Sequence, residues 1–187
     1  MKTNQILRSL RAGSAVIAVL AVTACSSDQS KQQAAKDEHG HDPAVHAEAP
    51  AAVPVSLEDQ KAQNVYQHYI HLKNALVSGD AKEAQSGAAA LQAAFTEAGN
   101  ANGADLAGKL ASLAEVKAQR SDFEAITAEA EQVIRGSKVK SGTIYKQYCP
   151  MANNNEGAYW LSGEPEIKNP YFGDEMLECG EVKEQIK

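Results

Sequence analysis

Two sulfur-bearing pairs stand near the C-terminal end of this chain, Cys149-x-Met151 and Met176-x-x-Cys179. The first lies in Tyr148-Cys149-Pro150-Met151-Ala152-Asn153 and the second in Met176-Leu177-Glu178-Cys179-Gly180. Thiolate and thioether sulfur are soft donors, and a site built from them selects Cu(I) over hard cations. In an exported domain the same two cysteines also suit a disulfide. A four-sulfur metal site and a Cys149–Cys179 bridge therefore both stay open at the level of the residues.

The redox compartment follows from the other end of the chain. Lys2, Arg8 and Arg11 precede an uncharged run from Ala12 to Ala24, the layout of a secretory signal. As a helix that run would reach roughly 20 Å, short of the roughly 30 Å hydrocarbon core. It ends Val22-Thr23-Ala24-Cys25, which resembles the bacterial lipoprotein box. That resemblance makes residues 1–24 a removable leader and Cys25 the lipidated first residue of the mature chain, held to the membrane by several acyl chains. Ser26 in place of Asp implies, by resemblance to sorted lipoproteins, the outer membrane and a periplasm-facing domain. Cleavage at an Ala-x-Ala-like site, leaving Cys25 as an odd thiol, is the alternative.

Loss of the leader removes three basic residues and no acidic one, so the formal charge moves from −6 to −9. Nucleic acid requires a basic stripe, and none is present. Residues 25–55 hold Ala, Gln, Ser, Pro and charged side chains with little that could enter a core, and read as a tether. His39, His41 and His46 sit there beside Asp37, Glu38 and Asp42 and form a weaker cation-binding cluster, or simply a spacer.

The elements that must position the sulfur begin at Ser56. Leu57, Val65, Tyr69, Leu72 and Leu76 follow helical spacing, and Ser56 with Asp59 predicts a cap for a helix over about 57–78. Asp80 with Glu83 opens a second stripe of Ala84, Ala88, Leu91, Phe95 and Ala98, and residues 99–103 read as a turn. Leu106, Leu110, Leu113 and Val116 make a third stripe. Ser121 with Glu124 opens a fourth, containing Phe123, Ile126, Ala130, Val133 and Ile134. The expected fold is mainly α, an antiparallel four-helix up-down bundle over residues 56–187 with a small irregular, short-β module from about 143. His68 and His71 share a helix face, but no Glu-x-x-His or second His pair completes a bundle metal site.

In the module, Thr143 to Tyr148 alternates like a short strand delivering Cys149, and Pro150 ends it. Residues 153–175 read as an ordered loop packed by its own Tyr159, Trp160, Tyr171 and Phe172. No nucleophile, acid/base pair or phosphate-cradling glycine motif stands out, so an enzyme is not expected.

The runs YCPMA, GAYWLS at 157–162, EIKNPYFG at 166–173 and MLECGEV at 176–182 resemble the bacterial domain-of-unknown-function family 3347. YIHLKNALVSGD at 69–80 and AQRSDFEAIT at 118–127 resemble its helices. That family occurs in lipoproteins and at the C-terminal end of periplasmic adaptors of heavy-metal efflux systems. The resemblance spans residues 56–187 and implies association with copper or related metals and with efflux components as partners. Tyr148-Cys149-Pro150-Met151 with the later Cys179-Gly180 is also similar to the short heavy-metal-binding domain of copper pumps and adaptors. Ala152 replaces the His of that domain, and Cys179 stands alone where it has Cys-x-x-Cys-Gly-Met. These resemblances imply Cu(I), or another soft ion, on Cys149, Met151, Met176 and Cys179.

Overall fold

The computed structural model describes residues 53–187. The leader, Cys25, and His39, His41 and His46 lie outside the described residues. The described chain is mainly helical, with helices α1 (Gln60–Ser78), α2 (Ala81–Ala98), α3 (Ala101–Ala111) and α4 (Val116–Arg135). Helix α1 packs on α2 and α4, α2 on α3, and α3 on α4.

The helix ends follow from local chemistry. Asp80 caps α2 by accepting from the Lys82 and Glu83 N–H groups, both at 3.0 Å. Gly79 and Gly99 close α1 and α2 in the left-handed conformation. Two expected starts are corrected. Helix α1 begins at Gln60 under Asp59, whose carboxylate accepts from Ala62 N–H at 2.9 Å. Ser56 does not cap it, because strand β1 (Ser56–Leu57) pairs antiparallel with β2 (Val139–Ser141). Helix α4 begins at Val116, and Ser121 lies inside it with its hydroxyl donating to Lys117 O at 3.0 Å. Val116 thus belongs to the fourth helix, not the third. The turn expected over 99–103 shrinks to Gly99 and Asn100, because Asn100 accepts from Gly103 N–H at 2.8 Å and caps α3.

The module is more regular than expected. Strand β3 (Ile144–Cys149) lies between β4 (Ala158–Ser162) and β5 (Glu181–Ile186), antiparallel to both. Part of the expected loop is therefore strand β4, whose Trp160 and Leu161 are fully buried. Helices and sheet share one core. Tyr69 of α1 stacks on Phe123 of α4 at 5.3 Å, Tyr171 tilts onto Phe123 at 5.9 Å, and Trp160 meets Tyr171 edge-on at 6.1 Å. The Tyr69 hydroxyl also lies 2.9 Å from Thr127 Oγ1 and accepts from Leu161 N–H at 3.0 Å, tying α1, α4 and β4 at one buried atom.

Candidate functional site

Cys149 ends the central strand of the three-stranded sheet. It pairs in register with Ala158 on one side, and Tyr148 pairs with Glu181 on the other, so the residues just before β5 run alongside it. Gly180 permits that approach. Its φ is +150°, and a Cβ there would meet Trp160 Cη2 at 2.8 Å and Tyr148 O at 2.9 Å. The residue before it, Cys179, consequently lands against Cys149. The two sulfurs are 3.1 Å apart as thiols, with Cys149 fully buried and Cys179 half-buried.

Polar side chains that a sequence pattern does not flag hold this arrangement. Asn169 is fully buried; its amide donates to Cys179 O at 2.7 Å, and its carbonyl oxygen accepts from Tyr171 N–H at 2.8 Å. Its own backbone N–H donates to Leu177 O at 2.8 Å. Gln147, two residues before Cys149, is also buried and donates to Glu164 O and Glu166 O at 3.0 and 3.1 Å. The stretch between the two cysteines is thereby folded back by one Asn and one Gln. The Asn169-Pro170 dipeptide is the sequence signal available for the first, as a turn initiator. Gln147 has none beyond its place in an alternating strand.

The expected methionines are placed differently. Met151 follows β3 in a turn, is exposed, and lines a surface cleft with Val116, Arg120 and Phe172 that neither cysteine lines. Met176 is half-buried, and its carbonyl accepts from Cys179 N–H at 3.1 Å, which closes Met176-x-x-Cys179 into one turn. The dithiol is the part of the four-sulfur set that the fold brings together. On α1, His71 Nε2 lies 2.6 Å from Glu83 Oε1 at the surface, and His68 is half-buried. Among the described residues no group of three or more His, Cys, Asp or Glu converges as a metal site.

The electrostatics of the pair are those of two acids sharing a space. The hydrogen bond with Cys149 pushes the Cys179 thiol up, with burial and the neighbouring Cys149 charge adding to it. Two adjacent thiolates would repel each other. A soft cation held by Cys149 and Cys179 would offset that repulsion, since it would be the largest local charge.

Residues 65–142 match the model of a family described as "Protein of unknown function (DUF3347)". The matched span runs from within α1 to the residue after β2 and stops before Cys149. No curated protein and no solved structure matches the chain.

Proposed function

We propose that this is a lipid-anchored, periplasm-facing accessory protein that binds Cu(I) or another soft metal ion through the Cys149–Cys179 dithiol and works alongside heavy-metal efflux. The observation that carries the reading is the 3.1 Å approach of two free thiols, one of them withdrawn from water. Thiolates are the preferred ligands of Cu(I). Met176, one turn from Cys179, and Met151, after a movement of its exposed turn, supply thioethers that complete the set. Cys25 supplies the anchor, and residues 26–55 the reach that lifts the domain off the lipid. The four helices are read as an antiparallel up-down bundle, supported by their short connections and by the packing of α1 against both α2 and α4.

The same approach of the sulfurs favours a second reading, a structural or interaction lipoprotein in which Cys149 and Cys179 form a disulfide. One experiment separates the two. Protein isolated from the periplasmic side without reductant is assayed for free thiols, then titrated with Cu(I) against a chelator. One Cu(I) per chain is expected. Binding should weaken as pH falls, because the thiols must deprotonate. Replacing both cysteines by Ser should abolish it, replacing both methionines by Leu should weaken it, and removing His39, His41 and His46 should leave it nearly intact. In the same preparation Cys25→Ala should release the protein from the membrane fraction. Full copper binding by the double Ser variant would refute the sulfur site, and absence of free thiols in the native protein would decide for the disulfide.

A further inference from the structure

We propose that the cavity of about 340 Å³ between α1 and the segment following β4 is a binding site for a small monocarboxylate. The cavity lies apart from the sulfur pair and is lined by Tyr66, Ile70, Lys73, Ser162, Glu164 and Lys168, among others.

Lys73 is the reason. Only 3% of it is exposed, yet among the described residues no ion pair or hydrogen bond holds its ammonium. Glu164 is near enough to act on it through space, but its carboxylate is bonded to Lys168 Nζ at 2.7 Å instead. Its ammonium keeps only a small opening to solvent, at the cavity that Lys73 lines, so the missing acceptor must be supplied from within that cavity. Burial accordingly lowers its pKa to about 8, which leaves it mostly charged at neutral pH and a strong donor.

The surroundings define what that acceptor is. Tyr66, pushed up to about 12 by burial and Glu164, keeps its proton, and among the described residues its hydroxyl takes no side-chain bond. Ser162 Oγ accepts from Glu164 N–H at 3.1 Å, so its own proton is free to donate. An ammonium and two hydroxyls match the lone pairs of one carboxylate. Two lysines and one glutamate leave a single net positive charge, which suits a monoanion and disfavours a dianion beside Glu164. Ile70 offers an apolar surface for a short alkyl chain. The occupant is thus a small alkyl carboxylate, with butyrate as the probe.

The test uses the full chain, reduced and metal-free, with lysine Cε resonances followed by NMR across a pH titration. Lys73 should titrate well below the other lysines, and saturating butyrate should raise its midpoint by about one pH unit through linkage. Lys73→Met should weaken butyrate binding about tenfold or more by calorimetry, whereas Lys82→Met should leave it unchanged. A Lys73 signal that responds to butyrate no more than to chloride overturns the site, as does an unchanged affinity in Lys73→Met. Phosphate competing better than butyrate overturns the monocarboxylate assignment. Should Lys73→Met lose its helical signal, Tyr66→Phe and Ser162→Ala replace it. Each is expected to weaken butyrate about threefold or more, and if neither does, the proposal fails.

Discussion

Removing the Asn169 amide should loosen the module more than any exposed polar change. In Asn169→Ala, Cys179 O and the buried Tyr171 N–H both lose their partners. Each orphaned buried group costs about 1–3 kcal/mol, so a loss of about 2–4 kcal/mol is expected in urea unfolding. Asn169→Asp keeps an acceptor for Tyr171 but sets a carboxylate oxygen against Cys179 O in a buried position, and should be no more stable than the Ala variant. Cys179 should also react faster with a thiol reagent in the Ala variant. A midpoint within experimental error of the parent would show that Asn169 does not hold the fold-back. The residue types that could do chemistry were legible from the start, because sulfur is rare here and its mirrored spacing stands out. Asn169 was not legible as a buried anchor, since an Asn before Pro reads as a surface turn until its partners ten residues on are known.

At the scale of elements, the four apolar stripes came through, while the Ser121 opening of α4 and the features that depend on distant pairing did not. Four apolar stripes and the Asp80 cap are visible within single segments, and α1 to α4 follow them. The start of α1 cannot be read locally, because Ser56 has a partner strand some 80 residues away, at Val139–Ser141. Strand β5 is nearly all exposed and its EVKEQI sequence looks like a polar tail. It is placed by the β3 ladder and by Arg135, which bonds Glu184 at 2.6 Å. The dependence of the module on its fold-back gives an element-level prediction. If Cys149 and Cys179 are oxidised, the bond closes a loop of about 30 residues and contributes roughly 3.5 kcal/mol. Reduction should then raise amide exchange in β4 and in residues 163–179, while α1 to α4 keep their helical circular dichroism. Identical exchange before and after reduction of fully oxidised protein would refute it.

Over the whole molecule, the charge buried at Lys73 makes one separable contribution to how stability changes with pH. Burial lowers this lysine from an ordinary 10.5 to about 8 in the folded chain. Between those values the unfolded chain binds one more proton than the folded one, so stability rises with pH across about 8 to 10.5. Below the lower value both states carry the charge, and the full penalty, on the order of 3 kcal/mol, is present. Other groups act in the opposite direction. Cys179 is raised, and Tyr66, Tyr69 and Tyr171 are raised further by burial, so each favours the protonated folded state and loses stability as pH climbs through its range. The Lys73 contribution is therefore read as the difference between wild type and Lys73→Met, with melts at several pH values from 7 to 10. The variant should be more stable by about 1–3 kcal/mol at pH 7, with the gap narrowing steadily as pH rises through 8 to 10. A constant gap would mean that Lys73 is charged and satisfied in the folded protein at every pH tested. It would also place a partner on that ammonium within the chain itself.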